Sequence, residues 1–121
     1  MNANSYNEAE VLQRYLADNL FLLMTDFERR AMQLASVREK ATVDEVVAER
    51  VLPKWLLQES EEVRCASLAG SRAILQRVME RIETERREGT LAMNRCPSCQ
   101  RIVHTPLAKQ CLWCGFDWHR P

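Results

Sequence analysis

The chain has 121 residues, 46% of them hydrophobic and 28% charged, and its 17 basic and 17 acidic residues balance to zero net charge. That length suits one compact unit, or one unit with a small appendage, and the apolar fraction excludes a disordered chain. Three glycines and four prolines leave too few turn residues for an all-β sandwich or barrel, and the neutral balance excludes the strongly basic character of a general nucleic-acid binder.

The first ten residues, MNANSYNEAE, have neither the basic start nor the apolar stretch of a signal peptide. The longest apolar run, residues 20–24, falls far short of the roughly 20 residues of a membrane helix. A cytoplasmic protein with no membrane association is therefore expected. Ser5-x-x-Glu8 has capping-box spacing and predicts a helix start near Tyr6. An apolar stripe follows at Leu12, Leu16, Leu20, Leu23, Phe27, Ala31 and Leu34, always three or four residues apart, as one helix face requires. Val11, Tyr15, Phe21, Leu22 and Met24 broaden it. The pattern reads as one helix of up to about 33 residues, about 50 Å long. Such an arm carries more apolar face than one neighbouring helix covers. A homodimer paired through the first helix is expected, burying Leu16, Leu20, Leu23 and Phe27 at or beside the contact.

A second start is read at Thr42-Val43-Asp44-Glu45, with Val43, Val47 and Val51 on one face and Val46 beside them. Pro53 has no N–H and clashes with the carbonyl of Glu49, so it should end or kink this helix, with a restart over residues 54–57. Ser60, followed by Glu61 and Glu62, marks a third start, where acids suit the helix dipole. Leu68, Ser71, Leu75, Val78 and Ile82 mark the inner face of that helix. Arg86 and Arg87 suit its last turn, and Gly89 the position beyond its end. Cys65, mid-helix, reads as a small core residue. No internal repeat is visible, and residues 89–94 read as a linker. The division predicted is an α-helical scaffold over residues 1–90 and a small metal-bearing domain over 91–121.

The metal reading rests on Cys96-Pro97-Ser98-Cys99, eleven intervening residues, then Cys111-Leu112-Trp113-Cys114-Gly115. Two thiolates separated by two residues grip one ion from a single tight turn, and two such turns complete a tetrahedron. Pro97 stiffens the first turn. Gly115 can take the positive φ that lets backbone N–H groups point at sulfur. Residues 100–110 are long enough for a hairpin, with Thr105-Pro106 near its tip. Over residues 94–119 the chain resembles the two-knuckle zinc-ribbon family, on CPSC and CLWCG as they stand here. That resemblance implies Cys96, Cys99, Cys111 and Cys114 as ligands of one structural Zn2+ per chain, on a metal-stabilised β-hairpin with a third strand. It implies no single function, because such ribbons occur in nucleic-acid binders, protein adapters and enzyme appendages. The knuckles also resemble those of rubredoxin, an iron electron carrier. Here the gap is much shorter than in that family, and its acidic, aromatic-rich body is missing. The fold expected is mainly α, a helical hairpin or small helical bundle with a C-terminal zinc ribbon built on four cysteines.

Four thiolates fill the shell of zinc and leave no position for water, so a structural site is expected and no catalytic residue is assigned. His104 and His119 read as exposed polar residues rather than replacement ligands. Trp113, Phe116 and Trp118 fall within six residues, and so short a segment has almost no core to hide them in. They either pack against the helices or form a contact surface, and on a strand Phe116 and Trp118 would share one face. Residues 95–121 carry Arg95, Arg101, Lys109 and Arg120 against Asp117, a formal +3, which leaves −3 on the rest. Four thiolates with Zn2+ add −2, so the segment attracts phosphates only weakly. The function expected is a non-enzymatic zinc-binding adapter with a protein partner. The alternative is a nucleic-acid-binding regulator that places those four basic residues on phosphates.

Overall fold

In the computed structural model of the chain, residues 5–119 are described, so Arg120 lies outside them. The described residues are mainly helical. None of their helices is long and apolar enough to cross a membrane. The chain divides into two compact units, Met24–Gly89 and a second made of Met1–Leu23 with Thr90–Pro121.

The expected first helix is broken into α1 (Glu8–Asp18), α2 (Leu20–Leu23) and α3 (Asp26–Ala41). Its start is capped by Asn7, whose side chain accepts from the Glu10 amide, and not by Ser5. Asn19 makes the first break. Its backbone leaves the helical region at φ −118° and ψ 20°, and its side-chain amide joins its backbone amide on the Tyr15 carbonyl, at 2.9 and 3.1 Å. Thr25 makes the second break. It caps α3 in a full capping box, with its side chain accepting from the Glu28 amide and Glu28 accepting from the Thr25 amide. Thr25-x-x-Glu28 is legible in the sequence but lies inside the apolar stripe. The unbroken arm on which first-helix pairing rested is therefore replaced by three pieces. Leu16, Leu20 and Leu23 are half-buried, and Phe27 is exposed.

In the unit Met24–Gly89, α3 is the central helix and the others pack around it. Thr42 closes α3, and Asp44 instead of Thr42 caps the next segment, accepting from the amides of Val46 and Val47. That segment opens as a π turn, Val47–Val51, and continues as α4 (Leu52–Gln58). The wide turn is the form the proline kink takes: the Leu52 amide bonds back to the Val47 carbonyl, and Pro53 sits in the first turn of α4, where its missing N–H costs nothing. Val47 and Val51 are half-buried, while Val43 and Val46 are exposed.

Ser60 caps α5 (Glu61–Ser67) as expected, through the Val63 amide. The helix stops there because Gly70 adopts φ 91°, and α6 (Ser71–Glu88) starts anew. Gly70 has no side chain to cap α6. Glu39 of α3 does so instead, accepting from the Ser71 amide and hydroxyl, both at 2.8 Å. The restart rotates the buried face to Ile74, Val78 and Ile82, and leaves Leu68 exposed in the turn. α5 buries Val63 and Ser67, one turn apart, which puts Cys65 on the opposite side. Cys65 is exposed, contrary to its reading as a core residue. Gly89 ends α6 in the left-handed conformation, after Arg86 and Arg87, as expected. Ala31, Leu34 and Ala35 of α3 complete this core. Two ion pairs brace it: Arg81 grips both carboxylate oxygens of Glu28, and Arg30 donates twice to one oxygen of Glu59.

The other unit differs from the cut expected at residue 90. It groups α1 and α2 with the cysteine-bearing segment, and named hydrogen bonds explain why. The Tyr6 hydroxyl accepts from the Ile102 amide at 3.1 Å, and the Tyr15 hydroxyl accepts from the Asn94 amide at 3.4 Å. The Asn19 side chain donates to the His104 carbonyl at 2.9 Å, and Arg95 pairs with Glu8 at 2.7 Å.

Candidate metal centre

Each pair of cysteines is held by the same local machinery. In the first turn the Cys96 amide donates to the Arg101 carbonyl, and the Gln100 amide donates to the Cys96 carbonyl, both at 2.9 Å. In the second the Cys111 amide donates to the Phe116 carbonyl at 2.8 Å, and the Gly115 amide to the Cys111 carbonyl at 2.9 Å. One antiparallel bridge closes each turn, Arg95 with Ile102 and Gln110 with Asp117. Every position of the second turn lies fifteen residues after its counterpart in the first. The two turns are therefore a structural repeat that the sequence betrays only in its C-x-x-C pairs. The extended hairpin with a third strand is not seen: among the described residues the pairing is limited to these single bridges.

Backbone amides aim at sulfur inside both turns. Those of Ser98 and Cys99 lie 3.3 and 3.4 Å from Cys96 Sγ, and that of Trp113 lies 3.3 Å from Cys111 Sγ. The four Sγ atoms lie within 4.8 Å of one another. Cys96 and Cys114 are 3.6 Å apart, and Cys99 and Cys111 are 3.7 Å apart. A tetrahedron of thiolates about zinc, with bonds of about 2.3 Å, has edges of about 3.8 Å. A disulfide needs about 2.05 Å, and all four cysteines are free. The donor set thus fits one tetrahedral metal ion. Cys96 and Cys111 are buried, Cys99 is half-buried and Cys114 is exposed.

The thiols differ electrostatically. Burial pushes the Cys96 thiol up, but the amides of Cys99 and Ser98 outweigh it and bring it down to about 7. Burial and the neighbouring sulfurs push Cys99 up to about 11, against a backbone amide from Arg101. Thiols bind a metal ion as thiolates, so a cation that enters such a cluster displaces their protons.

Around the sulfurs lies a small core of Cys96, Val103 and Cys111, with Trp113 and Trp118 packed against it. The Trp113 indole donates to the Ile102 carbonyl at 3.2 Å, and its ring meets Tyr6 edge-on with centroids 4.9 Å apart. Phe116 stacks on Trp118 at 6.1 Å and stays 44% exposed. Both tryptophans therefore serve this unit's own core, and Phe116 and Trp118 stack without the strand on which their shared face was expected. His104 is exposed, and His119 bonds to Asp117 at 2.6 Å. Neither joins the cluster, which is the one group of three or more potential ligands placed to hold a metal among the described residues.

The basic residues are largely engaged: Arg95 binds Glu8 and the Gln100 carbonyl, and Arg101 lies over the Tyr6 ring at 5.2 Å. Asn94 is the residue sequence reasoning missed. Its side chain donates to the carbonyls of Thr105 and Ala108 at 2.9 and 2.8 Å, and its own carbonyl accepts from the Val103 amide. It ties down the loop between the two cysteine turns, whereas its sequence context reads as linker. No family model, no curated protein and no solved structure matches the chain significantly.

Proposed function

We propose that this protein is a non-enzymatic, zinc-binding adapter whose zinc-ribbon-like module docks a protein partner. The observation that carries this reading is the closed set of four sulfurs, each turn supported by amides that point at it. Four protein thiolates satisfy a tetrahedral ion completely, and such a site lends rigidity instead of an open coordination position. Zinc suits it because thiolate softness and tetrahedral geometry both favour that ion. Cys96, Cys99, Cys111 and Cys114 would hold it, and α1 would brace the module through Tyr6 and Tyr15.

The nucleic-acid alternative draws less support. Two of its four basic residues are spent on Glu8 and Tyr6, and a third, Arg120, lies outside the described residues. The test is crosslinked capture from the native host with the unmodified chain and with Cys99→Ser/Cys114→Ser. A protein partner held by the first and lost by the second is the expected result. Capture that ignores the metal site, or that recovers nucleic acid, would contradict the reading.

A further inference from the structure

A groove of about 300 Å³ runs within the unit Met1–Leu23 with Thr90–Pro121, between α1 and the second cysteine turn. Its α1 wall carries Glu10, Arg14 and Asp18, one helical turn apart. All three are exposed, and no hydrogen bond or ion pair engages any of their side chains among the described residues. The opposite wall carries Leu112 and Trp113, with Ile102 and Val103 buried along it, and Tyr15 of α1 is buried in the floor between the walls. Trp113 is fixed there by its bond to Ile102 and its contact with Tyr6. Leu112 is 68% exposed at the rim.

The geometry points to an extended peptide segment of a partner protein as the occupant. Its alternate residues would be basic, acidic and basic toward α1, and apolar toward Trp113 and Leu112. Two spacings support this. Residues four apart on a helix rise by about 6 Å, so Glu10, Arg14 and Asp18 present negative, positive and negative charge at that interval. Alternate side chains of an extended strand recur every 6.6–6.8 Å or about that, and the intervening ones point the other way. One strand in the groove therefore meets the charged wall with one set of side chains and the apolar wall with the other. The net negative wall of α1 disfavours a phosphate backbone. This inference rests on the docking reading above and names its surface.

The test uses the zinc-loaded full chain, labelled with nitrogen-15, and two peptides. One is acetyl-Lys-Leu-Glu-Leu-Lys-amide and the other its charge inverse, acetyl-Glu-Leu-Lys-Leu-Glu-amide. The first should bind about ten-fold more tightly, with shifts at the Trp113 indole and the Leu112 amide. The triple change Glu10→Lys, Arg14→Glu and Asp18→Lys, all at exposed positions, should invert that preference. Leu112→Ser should weaken both peptides. Equal affinity, no shift with either peptide, or a preference that survives the triple change would overturn the groove. A chain that captures a partner metal-dependently yet ignores both peptides keeps the docking reading and loses this inference.

Discussion

Gln100 holds in the first cysteine turn the place that Gly115 holds in the second. Each directly follows the second cysteine of its pair, with φ 65° at Gln100 and 80° at Gly115. Each amide bonds to the carbonyl of the first cysteine. Only glycine adopts this conformation without a Cβ penalty, so the first turn carries strain that the second avoids.

Gln100→Gly should therefore stabilise the first turn by about 0.5–1 kcal/mol, and Gly115→Ala should weaken the second by about 1 kcal/mol. No atom lies within 4 Å of a Cβ built on Gly115, so its cost is backbone strain alone. Exchange of the Val103 amide reports both changes: slower with the first, faster with the second. Identical rates in the two variants would contradict the strain assigned to Gln100 and its absence at Gly115.

Asn94→Ala removes the donor to the Thr105 and Ala108 carbonyls. Two lost hydrogen bonds should cost about 1–3 kcal/mol, concentrated in the loop between the turns. Protease cleavage within residues 100–110 should accelerate, while helicity stays unchanged. An unchanged cleavage rate would contradict the role given to this side chain.

Glu28 joins the capping box of α3 to Arg81 of α6. Burial would raise its carboxyl, but Arg81 and Thr25 reverse that and hold it below the usual carboxylate range. A depressed folded pKa gives stability that is present above the unfolded value of about 4.3 and is lost as pH falls through the folded one. Glu28→Gln keeps a group able to accept from the Thr25 amide but removes the charge. It should cost about 1 kcal/mol at pH 7 in urea unfolding, and the difference should shrink toward zero at pH 2. A difference that persists in acid would assign the effect to packing.

The cysteine cluster and several caps are legible in the sequence because their signals are local. The C-x-x-C spacing marks the four cysteines that cluster, Ser60 caps α5 and Gly89 closes α6. The breaks at Asn19 and Thr25 are hidden because an apolar stripe can run in register across separate helices. Asn19 donates to the His104 carbonyl, 85 residues on, which periodicity cannot register. The grouping of α1 with the cysteines has no sequence mark either, because Tyr6 and Tyr15 look like helix-face aromatics until Ile102 and Asn94 meet their hydroxyls. Gln100 breaks the glycine rule and so conceals the fifteen-residue repeat.

That grouping changes what metal removal should do. Chelation should accelerate exchange of residues 91–119 and also of α1, since Tyr6, Tyr15 and Asn19 bond to the backbone of the cysteine-bearing segment. The helices of Met24–Gly89 have their own core and should keep their protection. Hydrogen exchange read peptide by peptide separates the outcomes. Uniform loss across the chain, or an α1 that stays protected with the cysteine segment unfolded, would contradict the division into these units.

The central claim is that Cys96, Cys99, Cys111 and Cys114 together hold one structural zinc ion. Native mass spectrometry with elemental analysis, on fully reduced protein purified without added metal, tests it most directly. One zinc per chain is expected, falling to none in Cys99→Ser/Cys114→Ser, with four thiols protected from alkylation only while metal is bound. Iron as the dominant metal, or reduced protein without zinc whose four thiols alkylate freely, would contradict it.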